Sequence, residues 1–179
     1  MPAAAENPLR PLFPPLKRVT VFTKILAASA VLAAITLGAA GSAHAQSYKL
    51  IMPLPEDSDT VLRDITITPK GTTVTIVVGN TTDEIGEACI HPNHRPEAFT
   101  IKDLDSGRVL RQRGVTGIRS CARGMDTIRP GKRKIVKVQF EALPATARRL
   151  QVGENNCKQK EDDDMHYYCF AEVVLKSPK

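Results

Sequence analysis

The chain contains no tryptophan, and only three tyrosines and five phenylalanines among 179 residues. So few rings argue against a nucleic-acid-binding surface, because unpaired bases are gripped largely by stacking on aromatic side chains. Histidine is nearly as scarce, with four. No serine stands in a Gly-x-Ser-x-Gly elbow, so the simplest hydrolase signature is missing. Beyond residue 45 no long segment carries apolar residues at helical spacing, and neither an internal repeat nor a low-complexity linker is present. No constellation of side chains names a reaction, and the expectation is a protein that is not an enzyme and needs no cofactor. A clustered, partly buried pair of carboxylates would point back towards catalysis.

Long uncharged runs are absent with one exception. "ILAASAVLAAITLGAAG", Ile25 to Gly41, follows Lys17, Arg18 and Lys24 and precedes "SAHA". Ala43 and Ala45 are small at the two positions a signal peptidase reads, so residues 1–45 read as a signal peptide cut after Ala45. The run is short for a membrane span, which needs about 20 apolar residues. The expected address is periplasmic or secreted, with an uncleaved anchor as the alternative. Residues 46–179, 134 in all, then suit one domain with a single core. That segment holds 21 basic and 18 acidic residues, so its net charge of +3 is smaller than the +6 of the whole chain.

All four cysteines, Cys89, Cys121, Cys157 and Cys169, lie in this segment. An even number in an exported chain reads as two disulfides. Three pairings are possible; order and spacing favour Cys89–Cys121 and Cys157–Cys169.

What remains reads as strands and turns. "KLIM" (Lys49 to Met52) is a short first strand ended by Pro53. "VLRDITIT" (Val61 to Thr68) and "TTVTIVV" (Thr72 to Val78) are β-branched runs of period two around the turn Pro69 to Gly71, which is a hairpin. "AFTIKDL" (Ala98 to Leu104) and "RVLRQR" (Arg108 to Arg113) flank the turn Asp105 to Gly107. "KIVKVQF" (Lys134 to Phe140) follows the turn Arg129 to Lys132 and alternates, with Val136, Val138 and Phe140 inward. A strand ending at Val152 and another over His166 to Leu175 complete the set. The one helical candidate is a brief turn at Ala142 to Ala147, weakened by Pro144. Seven to eight short strands predict an all-β, antiparallel β-sandwich or barrel, and the immunoglobulin-like sandwich is preferred.

"TTVTIVVGNTT" (Thr72 to Thr82), "FTIKDLDSGRVL" (Phe99 to Leu110) and "IRPGKRKIVKVQF" (Ile128 to Phe140) together resemble small exported bacterial immunoglobulin-like domains of unknown function. The resemblance implies a fold and favours a binding or accessory role. It carries no catalytic residues across, and no tryptophan stands between the cysteines as it would in an antibody-type domain.

Two stretches hold candidate chemistry. "CIHPNHRP" (Cys89 to Pro96) places Cys89, His91 and His94 within six residues. Joined by His166, the histidines would make an envelope metal site. A Cys89–Cys121 bridge would remove the thiolate and leave a pinned loop. The second stretch is basic: from Gly107 to Leu150 twelve Arg and Lys face only Asp126 and Glu141. Arg111, Arg113, Arg119 and Arg123 lie on or beside the segment leading to Cys121. They are the expected contact surface for an acidic protein, glycan or lipid headgroup, because arginine forks match carboxylate and phosphate. "EDDD" (Glu161 to Asp164) reverses the sign and offers a route to self-association with the basic face of another copy.

Overall fold

Ten antiparallel strands account for just over half of the described residues in the computed structural model, which describes residues 45–159 and 167–176. They are β1 (Gln46–Leu54), β2 (Asp57–Thr68), β3 (Gly71–Gly79), β4 (Gly86–Ala88), β5 (Thr100–Asp103), β6 (Val109–Thr116), β7 (Asp126–Ile128), β8 (Arg133–Phe140), β9 (Arg149–Gly153) and β10 (Cys169–Val174). Eight form one sheet in the order β1-β2-β3-β8-β6-β5-β9-β10, and β4 pairs with β7 apart from it. All described residues belong to one compact unit. Among them there is no α-helix, and no helix is long and apolar enough to cross a membrane.

Period-two patterning puts the core where the sequence places it. Val74, Ile76 and Val78 of β3 face Val138, Val136 and Lys134 of β8 in unbroken register, and Val136, Val138 and Phe140 are buried. Ile65 and Ile67 are buried with Leu62; the spacing of three between Leu62 and Ile65 is restored to one face by a bulge at Arg63. Ile101, Leu110, Leu150, Val152, Phe170 and Val173 close the same core from the other half of the sheet.

β6 joins the two halves. Its first residues, Val109 to Arg111, pair with β5, and Gln112 to Thr116 pair with β8, with a bulge between Gln112 and Gly114. A strand that changes partners through a bulge turns a corner, so the sheet folds its inner face upon itself. The edge strands β1 and β10 then line the two sides of one cleft, with Tyr48 and Met52 on one and Glu172 and Val174 on the other.

The turns follow their residue types. Asp103 accepts from Asp105 N–H at 3.1 Å and from the Ser106 hydroxyl at 2.6 Å, and Gly107 sits at φ 73°. Gly131 takes φ 68° in the turn before β8.

Four expectations are corrected. Pro53 does not end the first strand: it pairs with Val61, which an edge strand permits because its missing N–H faces away from the ladder. Ala142 to Ala147 forms no helix; Pro144 leaves only a turn, closed by Ala147 N–H on the Pro144 carbonyl at 3.0 Å. The last strand begins at Cys169, not His166, which lies outside the described residues. Ten strands replace seven or eight, the extra pair being β4 and β7.

Candidate functional site

Both favoured cysteine pairs are bonded, Cys89 to Cys121 and Cys157 to Cys169, and no cysteine is free. The first bridge makes "CIHPNHRP" a pinned loop. Around it Ile90 N–H donates to the Arg119 carbonyl at 3.1 Å and Cys121 N–H to the Ile90 carbonyl at 3.0 Å. Gln112, buried on β6, holds the far side. Its Nε2 donates to the His91 carbonyl at 2.6 Å, and its Oε1 accepts from Phe99 N–H at 3.0 Å.

The described metal candidates differ in exposure and state. His91 is partly buried with its ring 6.0 Å from Tyr167, and His94 is exposed. Cys89 is a disulfide sulfur and no thiolate. Among the described residues no group of three or more His, Cys, Asp or Glu is placed to hold a metal ion; His166, the third proposed ligand, and Glu161 to Asp164 lie outside them.

The four arginines fall into two pairs. Arg111 and Arg113 point outward on β6. Arg119 and Arg123 lie beyond Gly117, in and beside the 3-10 turn Cys121–Arg123. Arg113 is ion-paired with Glu141 at 2.7 Å, a carboxylate shared with Arg108 at 3.6 Å. Arg119 is bound to Asp126, by its N–H at 2.8 Å and its Nε at 3.4 Å. The Arg119 N–H, with Lys134 and the Arg119 side chain, holds the Asp126 carboxyl below its ordinary range. Arg111 and Arg123 have no ion pair among the described residues. β8 also presents exposed Arg133 and Lys137, the latter opposite Thr116 of β6.

Sequence reasoning missed a concave feature. A cleft of about 860 Å³ opens between the β1–β2 turn, β4 and the segment that carries the second disulfide. Cys89, Cys157 and Cys169 all line it, so both bridges border one space. Its acidic wall consists of Glu56, Asp57, Glu87 and Glu154, and no Lys, Arg or His is among its described lining residues.

Glu154 is almost fully buried, 2% exposed. It follows Gly153, where a Cβ would lie 2.5 Å from the Tyr168 carbonyl and 2.7 Å from Cys157 Sγ, so only glycine fits. After it the chain makes a left-handed turn, Asn155, Asn156 and Cys157 at φ 48°, 53° and 59°. Asparagine tolerates this conformation better than most residues. Asn155 N–H donates to the Glu97 carbonyl at 3.0 Å and Glu154 N–H to the Tyr168 carbonyl at 2.8 Å, which locks the turn against its neighbours. The Glu154 carboxyl accepts from His91 N–H at 3.3 Å. Burial pushes it up to about 8, against the smaller opposing pull of the His91 and Tyr168 N–H groups and with a contribution from Glu97. Burial likewise raises the Tyr168 phenol.

Glu97, 7% exposed, and Glu154 are therefore a buried carboxylate pair. Only Glu154 lines the cleft; Arg95 Nε stands 3.6 Å from Glu97.

No protein-family model, curated protein or solved structure matches the chain.

Proposed function

We propose that the chain is an exported, disulfide-stabilised module of the bacterial cell envelope, periplasmic or secreted, that works by binding and not by catalysis. Its two bridges support an extracytoplasmic life, since such bonds persist where the surroundings are oxidising. The two halves of the sheet, meeting at β6, serve as the layers of an immunoglobulin-like sandwich. The contact surface is the basic outer face of β6 and β8, and the partner is an acidic protein, glycan or lipid headgroup.

The observation that carries this reading is Arg111, exposed on β6 beside Arg113 and with no ion pair among the described residues, with exposed Arg133 and Lys137 on the neighbouring strand β8. Exposed cations held on a rigid strand draw an anionic surface without first breaking an internal pair. The same face would meet Glu161 to Asp164 of another copy in self-association. Arg111→Glu with Arg113→Glu tests the reading. At about 0.15 M salt, where the Debye length is about 8 Å, the double variant is expected to lose retention on a sulfonated matrix and on anionic vesicles. Its circular dichroism should stay unchanged. Retention equal to that of the parent protein would overturn the proposal.

A further inference from the structure

We propose that the cleft bordered by both disulfides binds an organic cation, an alkylammonium or alkylguanidinium group on a short apolar stem. This goes beyond the basic face and is independent of it.

The lining has the character such a ligand needs. Of the lining carboxylates Glu154 is buried and Glu87 is exposed on β4, and neither has an ion pair among the described residues. Burial makes ionisation of the Glu154 carboxyl costly, and an incoming cation offsets that cost. Asp57 is occupied by its own turn, accepting from Asp59 N–H and the Thr60 hydroxyl, so it supplies field and not a vacant acceptor. Between the carboxylates the walls are apolar or aromatic. Tyr168 is stacked on Phe99 with centroids 6.1 Å apart, and Met125 is 43% exposed. Aromatic faces and thioethers accept an alkyl stem, and a tyrosine ring also attracts the charge. A hard metal ion fits poorly, because no three ligating side chains converge among the described residues. An anion would meet four carboxylates and no cationic side chain among the described lining residues.

Burial keeps Glu154 protonated near neutral pH, and the groups acting on it are the His91 and Tyr168 N–H and the Glu97 carboxylate. A bound cation favours the charged form, so binding at pH 7 releases a proton from this carboxyl to the buffer. Glu154→Gln cannot release one.

The test is a titration of the full folded protein with n-butylguanidinium, n-butylammonium and the neutral 1-pentanol, followed by amide chemical shifts and by calorimetry in two buffers of different ionisation heat. Binding of the cations, with shifts centred on Glu87, Glu154 and Tyr168 and with proton release, is the expected result. Glu154→Gln should weaken binding about tenfold and end the proton release. Glu87→Gln, at an exposed position, should weaken it about threefold and covers the case that the first variant does not fold. A blocked Ala-Arg-Ala amide distinguishes sources: tighter binding than butylguanidinium assigns the site to a polypeptide side chain, weaker binding to a free small cation. Equal binding of 1-pentanol, no binding of any cation, or undiminished affinity in both variants would overturn the proposal. Loss of retention on anionic matrices in the Arg111 and Arg113 double variant leaves this outcome untouched, so the two readings fail separately.

Discussion

Glu154 shows what one residue's surroundings do to its charge. In sequence it is one glutamate before "NNC", with no motif to distinguish it. Its burial is decided by Gly153, which brings the chain against Tyr168 and Cys157, and by His91, 63 positions away, whose N–H reaches its carboxyl. A carboxyl raised from 4.5 to about 8 binds its proton more tightly in the folded state than in the unfolded one. Its stabilising contribution is therefore complete below pH 4.5 and is lost as pH rises through 8. Between pH 5 and 8 the loss amounts to about 3.5 kcal/mol as an upper bound. Urea unfolding at a series of pH values should show this decline. Glu154→Gln, which keeps the neutral shape, should flatten it and be more stable than the parent at pH 8. A parent profile that stays level from pH 5 to 8 would refute the assignment. Arg111 is the contrasting case. Its exposure was legible from strand alternation alone, whereas the engagement of Arg113 by Glu141 and of Arg119 by Asp126 depends on chain crossings that no local pattern encodes.

Among the elements, those with period two over seven or more residues were legible because burying one face of a strand demands that period. β3 and β8 are the clearest, and their register holds without a slip. β4 and β7, three residues each, were not legible. They exist because Asn80, buried at the end of β3, donates its Nδ2 to the Glu84 carbonyl at 2.8 Å and to the Ile128 carbonyl at 2.7 Å, which ties the two segments together. β1 was legible in part. It runs on through Pro53 because it is an edge, and it carries a bulge that places Ile51 at φ 52° with 73% of its surface exposed. A β-branched residue in the left-handed region is strained by about 1–2 kcal/mol, and here no burial offsets the strain. Ile51→Asn should therefore raise the unfolding free energy by about 1 kcal/mol, seen as an upward shift of the melting temperature by several degrees. A lower melting temperature would mean that the isoleucine methyls contribute more at the sheet edge than the backbone strain removes.

For the molecule as a whole, the cysteine pairing was legible from order and spacing, and the cleft was not. Its walls come from segments as far apart as Leu54 and Ala171, brought together only when β10 returns beside β9 and both bridges close. The two bridges are not equivalent in what they hold. Cys89–Cys121 spans 32 positions and Cys157–Cys169 spans 12, for which chain entropy gives about 3.7 and 2.9 kcal/mol. Together, about 6.6 kcal/mol, these are comparable with the lower part of the 5–15 kcal/mol net stability of an ordinary domain, so the fully reduced chain should be largely unfolded at 25 °C. The shorter bridge, however, restrains the left-handed turn at Asn155 to Cys157, and cutting it lets that turn relax. Cys89→Ala with Cys121→Ala should then lower the global unfolding free energy by about 3–4 kcal/mol. Cys157→Ala with Cys169→Ala should lower it by less and open the cleft locally. The amides of Glu154 and Asn155, which donate to the Tyr168 and Glu97 carbonyls, would exchange faster while the β3–β8 amides stay protected. Urea unfolding and native-state hydrogen exchange on the two double variants separate the effects. If losing the shorter bridge costs more global stability than losing the longer one, the turn at Glu154 belongs to the cooperative core, and the cleft cannot open on its own.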